Sequence, residues 1–151
     1  MILVFSACTR ETKTAEQLWQ SGSVLYDVGN FDGAIEQYNK IIKYYPGDDY
    51  ALKADFAIAD IYKNNIKDYN KAIEHYKAME KKYPDSEKTP NAIFMIGYIY
   101  ANELQDNDKA REAYEYFIEN YPDNVLVQSA RWEIENLGKS LEEIQQTTVT
   151  D

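Results

Sequence analysis

From Ala15 onward, apolar residues recur every three or four positions in short blocks, and Gly, Asn, Asp and Pro separate the blocks. That spacing is the signature of amphipathic helices. Leu18, Trp19, Gly22, Leu25 and Tyr26 form the first stripe, which ends at Asp27-Val-Gly-Asn30, where Gly29 suits a left-handed helix cap. The second stripe carries Phe31, Ala34, Ile35, Tyr38, Ile41, Ile42 and Tyr45 and stops at Pro46-Gly47-Asp48. Proline cannot continue a helix and biases the residue before it away from the helical region. A second pair follows: a helix over about Asp49–Asn65 with Ala54, Phe56, Ile58, Ala59, Ile61 and Tyr62, then one with Tyr69, Ala72, Ile73, Tyr76, Met79 and Tyr83. Past Pro84, Asp85 or Ser86 is expected to cap the next helix, with Pro90 in its first turn. The third pair holds Ala92, Phe94, Ile96, Gly97, Ile99 and Tyr100, then Ala110, Ala113, Tyr114, Phe117, Ile118 and Tyr121 before Pro122. Ala130, Trp132, Ile134 and Leu137, continued by Leu141 and Ile144, predict a terminal capping helix over 125–144, with 145–151 a frayed polar tail.

One cassette recurs without slippage: Ala, three residues, Tyr, six residues, Tyr-Pro. It reads Ala34, Tyr38, Pro46; Ala72, Tyr76, Pro84; and Ala110, Tyr114, Pro122, each copy 38 residues after the last. A fixed period in this range marks a repeat architecture. The alanines let the second helix of each unit (helix B) approach the first (helix A), and the tyrosines, one turn on, fill the gap between them. The expected fold is therefore all-α, an α-solenoid of three helix–turn–helix repeats at about 15–47, 48–85 and 86–123, plus the capping helix.

The cassette resembles the tetratricopeptide repeat, a helix–turn–helix unit of about 34 residues with Ala, Phe or Tyr, and Pro in its second half. The first unit carries Gly22, Leu25, Gly29, Phe31, Ala34, Tyr38 and Pro46 in the matching places, with Leu18 and Ser21 where the general signature has Trp and Leu. Pro46 to Ala59 and Pro84 to Gly97 each span 13 residues, about three more than in the general repeat, which lengthens the start of helix A by nearly a turn. Ala59 to Ala72 and Gly97 to Ala110 also span 13, about one more than usual, and the extra residue is expected in the turn. This lengthened form resembles the repeats of bacterial envelope tetratricopeptide proteins, such as the outer-membrane β-barrel-assembly lipoprotein and the Tol-Pal-associated periplasmic coordinator. The resemblance implies a scaffold that binds proteins or peptides on a concave face lined by helices A, in outer-membrane protein assembly or in envelope and division coordination.

Composition narrows the field. Of 151 residues, 44% are apolar, enough for a core, and the net charge is −10. That charge disfavours nucleic acid, which requires a Lys/Arg patch, and direct docking on anionic lipid. The one cysteine, Cys8, leaves no intramolecular disulfide. It sits where an apolar start turns polar, and Val4-Phe-Ser-Ala-Cys8 resembles a bacterial lipobox with Phe5 in the usual Leu place. Residues 1–14 therefore read as the end of a signal segment and a polar tether, with Cys8 the lipidation site and the protein anchored at the outer membrane, facing the periplasm. If that segment is not a lipobox, the expected location is cytoplasmic. His75 is expected on an exposed helix face, and the acidic residues on exposed faces among lysines.

Aligning the A helices gives an aromatic stripe of Trp19, Phe56, Phe94 and Trp132. By the resemblance this stripe faces the groove and grips a peptide; packed between units it would instead be core. Beside it, Glu16, Ser23, Tyr26, Asp27, Lys53, Asp60, Lys63, Asn91, Tyr98 and Asn102 are the candidate groove positions. Nothing in the spacing forms a nucleophile–base–acid set, a phosphate-cradling loop or a metal site. A non-catalytic scaffold without cofactor or metal is expected, with protein or peptide partners; self-assembly into oligomers is the alternative.

Overall fold

A computed structural model describes residues 13–148. The elements are α1 (Ala15–Asp27), α2 (Phe31–Tyr44), α3 (Asp49–Ile61), α4 (Tyr69–Lys82), α5 (Thr89–Tyr98), α6 (Asn107–Asn120), α7 (Val127–Asn136) and α8 (Leu141–Thr148). Each helix from α1 to α6 packs on the next in sequence, and α1 also touches α3. The described residues thus form an all-helical array, with α1, α3 and α5 as helices A and α2, α4 and α6 as helices B.

The start of helix B is capped in the same way in every unit. Asn30, Asp68 and Asp106 cap the B helices, accepting from the backbone N–H of Gly33, Lys71 and Lys109 at 3.0–3.1 Å. The residue before each cap is left-handed: Gly29 at φ 75°, Lys67 at 64° and Gln105 at 53°. Only the first is glycine, so the other two adopt a conformation their side chains disfavour.

Units two and three differ from unit one in how helix A ends. After α3 the chain continues as a π turn, Tyr62–Ile66, and after α5 as another, Ile99–Glu103. A π turn absorbs one extra residue within a helix. The thirteenth residue between Ala59 and Ala72 is therefore taken up inside helix A and not, as its spacing suggested, in the turn. Gly22 to Ala34 spans only 12 residues, and α1 ends without a π turn in a Schellman arrangement, Gly29 N–H on Tyr26 C=O and Asn30 N–H on Leu25 C=O.

The C-terminal end also departs from expectation. In place of one capping helix over 125–144 stand two, broken at Leu137-Gly138 where Gly138 has φ 76°. Residues 145–148, expected as tail, belong to α8. The cap of α5 is Lys88 and makes no side-chain hydrogen bond; Ser86 accepts from Lys88 N–H instead.

The cassette residues form the core seam. Ala34, Ala72 and Ala110 are fully buried, as are Tyr76 and Tyr114, and Tyr38 nearly so. Gly22 and Gly97 show why a small residue is needed opposite: an added Cβ would lie 2.5 Å from the Tyr38 ring and 2.6 Å from that of Tyr114. The core has two parts, one under unit one and α3, the other running from Ala59 to Ala130, with Tyr62 packed against both. Pro46, Pro84 and Pro122 lie exposed in the turns that close the units.

Candidate protein-binding face

Helices A place the aromatic stripe directly over the tyrosine seam. The Trp19 ring lies 4.9 Å from Tyr38 and 5.8 Å from Tyr50. Phe56 meets Tyr76 edge-on at 6.2 Å, and Phe94 lies 5.2 Å from Tyr114 and 5.7 Å from Phe117. All three are half-buried. One side of each ring closes the core and the other is open, so these three residues belong to core and surface at once. Trp132 differs: it is 48% exposed and stacks on no ring among the described residues.

The seam hydroxyls end beneath this face, at the position just after the small residue of helix A. In unit one that position is Ser23, whose hydroxyl lies 3.5 Å from Tyr38 Oη. In unit two it is Asp60, which accepts a 2.6 Å hydrogen bond from Tyr76. Burial and this carboxylate keep the Tyr76 hydroxyl protonated far above its ordinary range. In unit three it is Tyr98, and the buried Tyr114 hydroxyl has no hydrogen-bond partner.

The other candidates divide between structural duty and open surface. Lys63 places its ammonium 3.8 Å from Asp60 and 5.8 Å over the Tyr98 ring, and its side chain is only 14% exposed. Asp60, Lys63 and Tyr98 therefore bridge units two and three along the A-helix face. Asn102 is exposed and donates to Tyr98 C=O at 3.1 Å. Tyr26 is 41% exposed and edge-on to Phe31, and Lys53 lies 4.6 Å over the Tyr50 ring. Glu16, Asp27 and Asn91 are exposed, and Ser23 is half-buried. Cys8 lies outside the described residues.

Two tetratricopeptide-repeat family models match the sequence, one over residues 20–87 and one over 91–124. Together they span more than half of the chain. The chain belongs to the tetratricopeptide-repeat family. Among solved structures, the C-terminal TPR-containing domain of an FK506-binding protein from Plasmodium falciparum superposes with a TM-score of 0.50 at 19% identity, covering 89% of this chain and 97% of that one. No curated protein matches the sequence. Tetratricopeptide repeats mediate protein–protein interaction, so the A-helix face is the candidate site.

Within the tetratricopeptide scaffold, one polar cluster escaped the sequence. Asp55 of α3 is fully buried, not on an exposed face. It accepts from Lys82 at 2.9 Å and Tyr83 at 2.8 Å, and His75 Nδ1 lies 3.7 Å away. His75, expected on open surface, is half-buried and stacks on Tyr62 at 5.6 Å. Burial alone would raise the Asp55 carboxyl, but the neighbouring His75 imidazole and the hydrogen bonds from Lys82 and Tyr83 outweigh it and hold the group below its ordinary value. Both oxygens of Asp55 accept from Lys82 at the end of α4, and one also from Tyr83 just after it, so the cluster ties α3 to the C-terminal end of α4. A period-38 comparison holds the missed signal: Asp55 occupies the register of Ile93 in the next unit, a core position. No three His, Cys, Asp or Glu side chains among the described residues are grouped to hold a metal, and no described helix is long and apolar enough to cross a membrane.

Proposed function

We propose that this protein is a non-catalytic scaffold that captures an extended or helical segment of a partner protein on its A-helix face. The observation that carries this is the half-open aromatic stripe of Trp19, Phe56 and Phe94, extended by the exposed Trp132. Large rings with one free face supply contact area at low entropic cost. The acidic chain, at −10, suits partner segments that carry basic residues. Replacing Phe94 with the photo-crosslinking amino acid p-benzoylphenylalanine, and separately Tyr116 of α6, tests the face. A discrete adduct from position 94 and none from 116 is expected; adducts from 116 alone place the interaction on the B helices and end this reading.

The setting of that capture is a second part of the proposal. The lipobox-like Val4-Phe-Ser-Ala-Cys8 and the lengthened repeats support a lipid-anchored envelope protein, held at the outer membrane through Cys8 and serving outer-membrane protein assembly or division coordination. Palmitate labelling of the protein expressed from its full reading frame checks this. Loss of label and of membrane localisation in Cys8→Ser is the expected result, and unchanged localisation removes the anchor.

Self-assembly stands as a second reading because Val24 of α1 and Val28 just after it are exposed at 62% and 73%. Sedimentation over a wide concentration range decides it, since a monomer throughout excludes oligomerisation through that end.

A further inference from the structure

The A-helix face is not uniform, and its third unit lacks an internal partner that the second possesses. Tyr76 donates to Asp60, whereas the equivalent Tyr114 hydroxyl is buried without any partner. Buried polar groups are satisfied in nearly all native structures, so an exception calls for an explanation. The negative charge of Glu133, on α7, raises the Tyr114 hydroxyl further, after burial itself. Glu133 is half-buried, and no hydrogen bond or ion pair holds its carboxylate among the described residues. Desolvation without a compensating cation holds its carboxyl above the ordinary value. Beside it stands Trp132, 48% exposed.

Trp132 and Glu133 line one pocket of about 650 Å³ between the end of helix A of unit three and α7, together with Asn102 and Asn136. The pocket is lined by one cation, Lys139, which lies 3.5 Å from Asn136 Oδ1 and acts electrostatically on Glu143. It forms no ion pair with Glu133. A partly desolvated carboxylate with no counter-charge, next to an indole face with no stacking partner, is the chemical complement of an organic cation.

We propose that this pocket receives a single lysine or arginine side chain of the partner segment, with Glu133 taking its charge and Trp132 its face. The proposal rests on peptide capture by the A-helix face and adds the chemistry of one position. Asn102 and Asn136 supply amide groups at the rim for the remaining donors of an arginine.

The sequence contains two tryptophans, Trp19 and Trp132, so the indole N–H resonances of the full chain report separately on the two ends of the face. The probes are three acetylated, amidated pentapeptides, Leu-Ser-X-Ser-Leu, with X arginine, norleucine or glutamate. The arginine peptide is expected to shift the Trp132 indole, with the norleucine and glutamate peptides binding there about tenfold more weakly, the scale of one cation–π plus ion-pair contact. Glu133→Gln should remove the arginine preference while the Trp19 resonance stays in place, which shows that the fold is intact. Equal shifts of Trp132 by all three peptides overturn the cation subsite. Shifts confined to Trp19 also overturn it but leave peptide capture standing, and no shift of either indole with any peptide counts against both.

Discussion

Units two and three share the Ala-Tyr-Pro cassette and the turn aspartate, and differ in what they do at two other places. Beneath the A-helix face, unit two closes its seam hydroxyl onto Asp60, while unit three leaves the buried Tyr114 hydroxyl without a partner. On the opposite side, Asp55 and His75 of unit two are replaced at the same register by Ile93 and Ala113. His75 stacks on Tyr62 and fills the space between helices, whereas Ala113 leaves a pocket of about 540 Å³ floored by Ile93 and Ile96. Tyr121, lacking an aspartate at position 93, donates to Glu80 of the preceding B helix instead, at 2.9 Å. The difference separates two kinds of residue in a repeat. Those set by the period make the solenoid, and those that vary at fixed register decide where it is self-satisfied and where it is open to another molecule.

Substitutions at matched positions break or sharpen that comparison. The largest effect belongs to the seam, where unit two and unit three should respond alike. Tyr76→Ala and Tyr114→Ala are each expected to cost about 3–5 kcal/mol in urea denaturation, because both rings are fully buried. A loss below about 1 kcal/mol at either site would show that the ring is not core.

The next effect should appear in unit two alone. Asp55→Ala removes the acceptor of Lys82 and Tyr83 and should cost about 1–3 kcal/mol; the exposed ammonium of Lys82 can rehydrate, which keeps the loss moderate. Its pH dependence follows from the sign of the shift. The carboxyl lies lower in the folded chain than its ordinary 3.8, so its contribution is complete above about pH 3.8 and is lost as pH falls through the folded value. Melting temperatures of the protein and of Asp55→Ala should therefore differ at pH 6 and converge at the acid end. A gap that persists unchanged to acid pH would mean that the ionised cluster contributes nothing.

Overpacking is comparable in size and should not distinguish the units: Ala72→Leu and Ala110→Leu are each expected to destabilise by about 1–3 kcal/mol. The smallest effect concerns the turns. Lys67→Gly relieves a left-handed residue at φ 64° and should stabilise by up to about 1 kcal/mol, as should Gln105→Gly. Destabilisation at both would show that the side chains, not the backbone, matter there.

The helices, their order and the seam were legible because spacing and period carry that information directly. Ala34, Tyr38 and their copies recur at 38 residues and are buried. The π turns were half legible: the extra residue was visible in the count, but insertion in a helix and in a turn leave the same spacing. The break at Gly138 was overlooked because Leu141 and Ile144 continue the apolar rhythm across it, and rhythm does not report φ. In the candidate site, the stripe was legible as a set, yet its division into three half-buried rings and one open tryptophan depends on what lies beyond each unit. Trp132 is exposed because, among the described residues, no seam tyrosine packs against it as Tyr38, Tyr76 and Tyr114 pack against the other three. Asp55 was hidden for the opposite reason, since an acidic residue reads as surface until Lys82 and Tyr83 are seen donating to it together.

The most direct test of the contrast between the units is a single atom removed from each. Tyr76→Phe deletes the hydroxyl bonded to Asp60, and Tyr114→Phe deletes the one with no partner. Urea denaturation should show a loss of about 1–2 kcal/mol for Tyr76→Phe and no loss, or a small gain, for Tyr114→Phe. Equal losses at the two sites would mean that Tyr114 is satisfied within the protein after all, and that unit three is as closed as unit two.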